Sequence, residues 1–421
     1  MRRFAFALAI AAAITTNAQE TLDLAAIQQQ AVDADPRIRQ LELEAAQTTL
    51  RLRNIDAEKR PAIAVEGQAQ YQSETVEPPF GPTPPKDTFD AALRVDHSLL
   101  DPTTKARRAA EQARLAEAQA RIRTALFALR QEVNEAFFAT ALLQEREAQI
   151  ANTITDLESR LREANIRVAE GVALPSESAS IEATLLQRQQ DSAELRAGRR
   201  GALARLAELT NRELTLDDRL VVPQLEAKYS EACANLGTHR ARPEFAQFAK
   251  MRERLETQKQ LVDASVKPRV SAYGKAGVGR PGLNFLSDEL NPYWLAGIRV
   301  QWKPWTWGTD QRERELLDLQ QQAVTADEEA FARTLRRTLM SDLATIDHLH
   351  EVSTSDDRIV ALRESIERET GARYDEHVIT AADYIDKQTD VLEARLLRAT
   401  HRVQLAQAQA RLLTLLGLEV Q

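Results

Sequence analysis

The hydrophobic pattern of residues 102–168 predicts one unbroken α-helix, around which the rest of the chain is organised. A line of mostly apolar positions follows alternating steps of four and three: Ile122, Leu126, Leu129, Val133, Ala136, Thr140, Leu143, Glu147, Ile150, Ile154, Leu157, Leu161, Ala164 and Val168. A seam with a period of 3.5 residues over this many turns is typical of a coiled coil. At 1.5 Å per residue the helix would be roughly 100 Å long, so it needs neighbours along its whole length.

Two other regions alternate with a period of two and predict β-hairpins at residues 61–99 and 268–304. In the first hairpin, apolar or small residues from Ile63 to Tyr71 alternate with polar residues. In the second hairpin, every other position from Trp294 to Trp302 is apolar. Each strand therefore has one face suited to an apolar environment and one suited to water. Their length of about 10 residues is the length that a tilted membrane strand needs.

Four tryptophans lie in the second hairpin or just after it: Trp294, Trp302, Trp305 and Trp307. Clustered tryptophans ordinarily form a buried core or a platform for sugars. Next to strands of membrane length, an aromatic belt at the edge of a bilayer is the better interpretation. The sequence therefore predicts that these four side chains mark a membrane interface.

The predicted elements occur twice in the same order, which indicates an internal duplication. Pro243 corresponds to Pro36, and Asp383 corresponds to Glu177. The two residues of each pair are about 206 positions apart. Each copy contains a helix, a hairpin, a long helix, a turn and a returning helix. The predicted division is a first repeat at 19–211, a connector at 212–242 and a second repeat at 243–421, whose long helix covers 308–373.

Composition narrows the function classes. Residues 1–18 read as a secretory signal peptide, with a basic start, an apolar run and a cleavage position after Ala18. The alternative, a membrane anchor, would need a longer apolar run. The single cysteine excludes an internal disulfide and a cysteine-based metal cluster, and the six histidines lack the spacing of metal ligands. Because a net charge of −8 mixes both signs along the helices, we expect no nucleic acid partner. Since the chain has neither metal-ligand spacing nor a phosphate loop, we also expect no cofactor.

Four amphipathic strands in one chain cannot close a barrel, and an open edge in lipid leaves backbone groups without hydrogen bonds. After residue 18 no apolar run is long enough for a transmembrane helix, so the strands are the segments suited to a membrane. Three copies would supply 12 strands, an even number within the range of outer-membrane barrels. The residues therefore predict a homotrimer, and four copies are the open alternative.

Four stretches carry a resemblance to a known family: TLDLAAIQQQAVDADP at 21–36, RVAEGVALPSESA at 167–179, WKPWTWG at 302–308 and RYDEHVITAADYID at 373–386. In this order, and with the repeat, the chain resembles the TolC family of outer-membrane efflux ducts. The resemblance implies a mainly α fold with a small β part. Long coiled-coil helices would form an α-barrel tube, and four strands per chain would contribute to a trimeric 12-stranded membrane β-barrel.

The resemblance also implies a location and partners. The barrel would lie in the outer membrane of a Gram-negative bacterium, in contact with its lipid, and the helical tube would lie in the periplasm. The tube would dock on a periplasmic adaptor protein and on an inner-membrane pump of the ABC, RND or MFS type. Its inner end would close like an iris.

Asp383 and Asp386 match the acidic ring that selects ions in this family. They are one helical turn apart, so they face the same way. The alternative is a pair of solvated charges at a helix start, where acidic side chains complement the helix dipole. In a narrow throat, repulsion between such carboxylates would raise the pKa of some of them.

Tyr374 and Glu177 match the latch that holds members of the family shut. The arginine of that latch is replaced by Ile379 in this sequence. The resemblance therefore implies a weaker latch, or one in which Arg373 or Arg167 takes the place of the missing arginine.

Gly171, Val172 and Ala173 match the small apolar turn with which the family docks on its adaptor. In the second copy His377 stands where the family has glycine. A glycine that ends a helix explains Gly171 equally well, and that role is compatible with docking.

Two functions of different classes follow. The first is a passive exit duct of a tripartite efflux or type I secretion system, which passes small molecules or proteins. The second is a periplasmic coiled-coil scaffold or adaptor without a membrane barrel. An enzyme finds no support, because no nucleophile with a base and no phosphate loop occurs, and the glycines at 277 and 279 lie in a hairpin.

Overall fold

The computed structural model describes residues 21–75, 79–80, 83–235, 241–284 and 289–419. The predicted signal peptide at 1–18 lies outside these residues. The chain divides into two compact units. Unit 1 comprises Met1–Asp35, Ala125–Arg242 and Thr334–Gln421, and unit 2 comprises Pro36–Thr124 and Pro243–Arg333. Among the described helices, none has an apolar stretch sufficient to cross a membrane.

The described elements are mainly helices, with four long strands and two very short ones. In chain order they are β1 (Thr21–Leu22), α1 (Leu24–Ala34), α2 (Arg37–Ala57), β2 (Ala62–Tyr71), β3 (Asp87–Leu100), α3 (Thr103–Ala169), α4 (Pro175–Thr210), β4 (Arg219–Leu220), α5 (Glu226–Ala234), α6 (Pro243–Ser265), β5 (Arg269–Arg280), β6 (Asn291–Gln301), α7 (Thr309–Asp375) and α8 (Ala381–Leu416). The prediction of a mainly α fold with a small β part is confirmed.

Unit 2 contains one antiparallel sheet with the order β2-β3-β5-β6. Val65 pairs with Leu93, Leu93 with Ala276, and Ala276 with Trp294, so one row of apolar side chains crosses the sheet. Because side chains alternate between the two faces, each strand contributes its other residues to a polar face. The last strand ends earlier than predicted: β6 ends at Gln301, three residues before Pro304.

Two short helices accompany this sheet in unit 2. Helices α2 and α6 end shortly before β2 and β5, each followed closely by a proline. Leu255 of α6 packs with Leu317 and Val324 of α7, and Phe248 covers this small cluster. These contacts pair α6, the helix that precedes the second hairpin, with α7.

The predicted seam of α3 is buried in unit 1, where Val133, Ala136 and Ala164 have almost no exposed surface. The two polar positions of the seam are satisfied in different ways. Thr140 is fully buried and donates its hydroxyl to Ala136 O of the preceding turn, 2.8 Å away. Glu147 instead accepts hydrogen bonds from two arginines of α4, at 2.8 Å and 3.2 Å.

The connector at 212–242, which has no period in the sequence, contains β4 and α5. β4 pairs in parallel with β1. The side-chain amide of Gln144 in α3 pairs with the backbone of Leu220 as a neighbouring strand would. It donates to Leu220 O (2.9 Å) and accepts from Leu220 N (3.0 Å). Arg199, which is nearly buried, donates to Asp218 O at 2.8 Å. Cys233 is a free thiol.

The bounds of the helices match between the two halves of the chain. Helices α3 and α7 each have 67 residues, and α4 and α8 each have 36. Both returning helices also end in a left-handed residue, Asn211 and Gly417. The duplication itself remains an inference from this spacing, and the trimeric barrel remains a prediction.

Candidate functional site at the two helix tips

The first tip joins α3 to α4 within unit 1. The helix ends in a turn in which Val172 N donates to Arg167 O at 3.0 Å and Gly171 has a φ of 76°. This is the usual end of a helix with a left-handed glycine. Leu174 precedes the next helix without a side-chain cap, and Pro175 occupies its first turn. Proline suits this place because it needs no N–H partner there.

The second tip joins α7 to α8 with the same backbone hydrogen bond, from Val378 N to Arg373 O at 2.9 Å. His377 adopts the left-handed conformation here, with a φ of 64°. Helix α8 begins with a reciprocal cap: Asp383 N donates to the Thr380 hydroxyl (3.2 Å), and the Asp383 carboxylate accepts from Thr380 N (3.1 Å). The two tips thus share a turn and differ in the helix that follows.

Asp383 and Asp386 are both exposed on α8. The Thr380 hydroxyl also donates to Asp383, at 2.7 Å, and these hydrogen bonds hold the pKa of that carboxyl below its usual value. Asp386 makes no hydrogen bond or ion pair with the described residues. Within one chain, then, Asp383 has the role of a helix-start residue, while both charges stay available to solvent.

Tyr374 is almost fully buried at the second tip. Arg167 of α3 donates to its hydroxyl oxygen at 2.9 Å and lies 4.7 Å from its ring centroid. Burial raises the pKa of Tyr374, the charge of Glu177 raises it further, and Arg167 opposes this shift. The arginine that contacts the predicted latch tyrosine is therefore Arg167 and not Arg373.

Glu177 and Ile379 lie at the margin of this cluster. No direct hydrogen bond joins Glu177 to Tyr374 in the described part of the chain, so the carboxylate acts on the phenol through its charge. Ile379, at the position of the family's arginine, packs against the buried cluster as an apolar side chain. The sequence prediction named Tyr374 as the latch tyrosine and left its partner open between two arginines.

Two residues that were not predicted from the sequence, Tyr384 and Arg160, complete the cluster. Tyr384 stacks on Tyr374 with ring centroids 5.6 Å apart, and its hydroxyl donates to Glu367 at 3.0 Å. Arg160 lies 5.0 Å from the Tyr384 ring centroid and bonds to Asp375 at 2.8 Å. Burial raises the pKa of Tyr384 to about 12. The available signal was the spacing of Arg160 and Arg167, one heptad apart beside the seam.

The predicted docking residues are accessible. Val172 at the first tip and Val378 at the second are exposed apolar side chains, and Ala173 is half-buried. His377 lies in the turn, with Nδ1 3.5 Å from Tyr374 O. In the part of the chain that the structure describes, no group of His, Cys, Asp and Glu side chains could hold a metal ion.

The four tryptophans of the sheet region are between 60% and 81% exposed. This exposure excludes a core within one chain as their role. Trp305 and Trp307 contact each other edge to face, with ring centroids 5.7 Å apart. On the polar face, Lys275 pairs with Asp90 at 2.6 Å, and Arg94 pairs with Glu66 at 3.2 Å.

Solved outer-membrane channels share this architecture. The chain matches CusC with a TM-score of 0.70 and 14% identity, over 94% of this chain and 92% of that one. It matches the outer membrane protein VceC of Vibrio cholerae with a TM-score of 0.69 and 14% identity, over 94% and 97%. It matches the open state of the MtrE channel of Neisseria gonorrhoeae with a TM-score of 0.67 and 17% identity, over 94% and 89%.

No protein-family model and no curated protein matches the sequence. The structural matches extend over nearly the whole chain at low identity, so they show the fold. That fold is the one which the resemblance to the TolC family implied.

Proposed function

We propose that this chain is an outer-membrane channel, which serves as the passive exit duct of a tripartite efflux or type I secretion system. The fold shared with solved outer-membrane channels supports this function. Small molecules or proteins would leave through the helical tube. In this proposal the sheet of unit 2 lies in the outer membrane of a Gram-negative bacterium, and the helices of unit 1 lie in the periplasm.

The observation that carries the proposal is the sheet of unit 2. One face holds exposed apolar side chains, among them Val65, Trp294 and Ile298, whereas the other holds ion pairs. An extended apolar surface of this kind is costly in water and marks a place where another apolar phase or a partner belongs. Lipid covers such a face, and a water-filled channel suits the opposite one.

The same sheet argues for an assembly. Its outer strands, β2 and β6, each pair with a neighbour on one side only among the described residues. In lipid such edges are unstable, because their backbone groups find no partner. A homotrimer of 12 strands would close the sheet. The periplasmic scaffold, our second candidate, has no use for this amphipathic sheet or for its tryptophan belt.

The tips would supply the gate and the docking surface. Three copies of Asp383 and Asp386 would form an acidic ring around a narrow throat. Tyr374 with Arg167, assisted by the charge of Glu177, would latch the tips in the closed state. The exposed turn at residues 171–173 and its counterpart at His377 would contact the adaptor protein, which links the duct to the inner-membrane pump.

Mass determination after membrane extraction tests the proposal. We expect the protein to need detergent for extraction and to have the mass of three chains. The purified trimer should also produce discrete conductance steps in a planar bilayer. A monomer that leaves the cells without detergent and gives no conductance would favour the scaffold instead.

A further inference from the structure

The edge strand β2 presents defined backbone groups to a partner. Gln72 N, directly after β2, donates to Lys86 O of the neighbouring chain segment at 2.8 Å. Successive residues of an antiparallel strand point their backbone groups to opposite sides. The even-numbered residues of β2 therefore bond to β3, and the odd-numbered ones, from Ile63 to Tyr71, face the open edge.

Two prolines delimit the open edge of β6. Pro292 pairs with Val278 of β5, and because proline has no N–H, its backbone groups belong on the side away from β5. By the same alternation, the even-numbered residues of β6 from Trp294 to Val300 present N–H and C=O outward, and Trp302 would do so where the closed sheet extends the strand beyond Gln301. Pro304 is the next even position, and it again offers no donor. Backbone N–H donors that face the open edge of β6 are thus available only between Pro292 and Pro304.

The side chains divide between odd and even positions in the same way as the outward-facing backbone groups. The odd-numbered residues of β2, such as Ile63 and Val65, carry its apolar face, and the even-numbered residues of β6, such as Ile298 and Val300, carry the same face of the sheet. If β2 of one copy pairs with β6 of another and all apolar side chains stay on one face, odd residues of β2 must lie opposite even residues of β6. Only registers that differ by steps of two residues remain.

We infer that β6 of one copy pairs with β2 of a second copy of this chain in one register, with Glu66 opposite Arg299. This inference rests on the proposed function, since it needs an assembly in which the sheet closes. Three antiparallel steps separate β2 from β6, so the strands of adjacent copies run in opposite directions. In this register the 10 residues of β2 lie opposite residues 294–303, between the two prolines.

Both neighbouring registers place a proline at a hydrogen-bonding position. A shift by two residues in one direction puts Pro292 opposite Tyr71. The opposite shift puts Pro304 opposite Ile63. In either case an outward carbonyl of β2 loses its donor, which is costly where no water can replace it. The inferred register avoids both losses.

Charge complementarity at the two edges supports the same register. The Arg299 guanidinium lies 4.8 Å from the Tyr273 ring and has no carboxylate within ion-pair distance among the described residues. Glu66 projects from the polar face at the other edge, with one carboxylate oxygen 3.2 Å from Arg94 and the other 3.9 Å from Lys275. In the inferred register, Glu66 and Arg299 lie opposite each other where the two strands exchange no backbone hydrogen bonds. The Cβ atoms of such a pair are about 5 Å apart. Arg299 would therefore reach Glu66 of the adjacent copy.

Disulfide trapping in the assembled protein tests this register. In a Cys233→Ser background, Ala64→Cys is combined with Gln301→Cys, a pair that lies directly opposite in the inferred register at a Cα distance of about 4.5 Å. Matched controls combine Ala64→Cys with Arg299→Cys or with Lys303→Cys, the partners in the two neighbouring registers. Membranes are treated with a mild oxidant and the covalent species are separated under denaturing conditions.

We expect covalent dimers and trimers to form at least about tenfold faster for the pair at 64 and 301 than for either control pair, whose Cα atoms would be too far apart. Faster linkage of a control pair, or no linkage of any pair in a protein whose mass in detergent is that of a trimer, would overturn the inferred register. A protein that is monomeric in every variant would instead contradict the proposed function.

Discussion

The two tips of unit 1 have nearly the same backbone and different chemistry. Each ends its long helix with a left-handed residue and a hydrogen bond from a valine N–H to an arginine carbonyl. The first tip uses glycine for the turn and a proline to start the next helix. The second uses His377 for the turn and a reciprocal Thr380 and Asp383 cap.

This difference shows that the two tips have separate requirements. The first tip has an unstrained turn with open space around Gly171, where an added Cβ would meet no atom within 4 Å. The second tip tolerates a strained residue and carries the acidic side chains, the stacked tyrosines and the contacts from Arg160 and Arg167. We infer that the first tip is shaped mainly as a surface and the second mainly as a gate.

Removal of the acidic charge at the second tip should have the largest effect. Asp383→Asn with Asp386→Asn preserves the hydrogen-bonding capacity of the cap and removes two charges from each copy. Because the summed field of the ring attracts cations, block by a trivalent cation should weaken by about tenfold or more in planar-bilayer recordings. Glu170→Gln, which removes an exposed carboxylate from the first tip outside the latch, is the control and should alter block little. Equal block in both variants would show that the tips do not differ in this way.

The contact between Arg167 and Tyr374 should have the next largest effect, because it joins the two tips. A hydrogen bond to a charged group contributes about 1.5–3 kcal/mol, and the partial exposure of Arg167 places this one at or below the lower end. Arg167→Ala, Tyr374→Phe and the double variant form a cycle whose coupling energy we expect to be about 1 kcal/mol.

The measurement for this cycle is the fraction of time that single channels spend in the open state. Arg167→Ala should raise that fraction because a restraint on α7 is lost. Arg162→Ala, an exposed arginine on the same helix, is the matched control and should leave it unchanged. Additive effects of the two latch variants would mean that the contact does not restrain the gate.

Exchange of the turn residues should have a smaller, local effect. A left-handed residue with a side chain costs about 1–2 kcal/mol relative to glycine. Gly171→His should therefore lower the opening free energy of the Val172 amide by about 1 kcal/mol, and His377→Gly should raise that of the Val378 amide by a similar amount. Native-state hydrogen exchange measures both amides in one experiment. Changes of the same sign at both tips would contradict the account of the strained turn.

The cap of α8 should give the smallest effect. Thr380→Val removes the hydroxyl that donates to Asp383, so the pKa of this carboxyl should rise towards its ordinary value; carbon NMR of the labelled carboxyl measures the shift. Since the pKa of Asp383 is lowered by folding, its contribution to stability is present above the unfolded value of about 4 and is lost as the pH falls through the lowered pKa. The first turn of α4, which has no side-chain cap, should show no equivalent loss.

Much of the fold could be predicted from the sequence because periodicity encodes it. The 3.5-residue seam of α3 is buried as predicted, and the period-two segments became the sheet of unit 2. The end of β6 was placed too late, because the apolar alternation continues to Trp302 while the described strand ends at Gln301. An edge strand has no ladder of hydrogen bonds on one side, so alternation alone does not define where it stops.

The tip contacts could be predicted only in part. Tyr374 followed from the resemblance, but the choice between Arg167 and Arg373 did not, because each lies in the last turn of a long helix. Tyr384 stands between the two aspartates in the sequence, yet its stacking on Tyr374 depends on how α7 and α8 pack. Cross-element contacts of single side chains have no period and therefore leave no pattern along the chain.

By itself the sequence determined the long helices, the amphipathic strands and the positions of the turns, since each depends on residues close together in the chain. Only the tertiary structure decided which arginine reaches Tyr374, how Gln144 holds the connector, and which edges of the sheet stay open. The physical reason is that local backbone preference and hydrophobic period act within one element. A buried polar group instead takes whichever partner the packing of separate elements brings within hydrogen-bond distance.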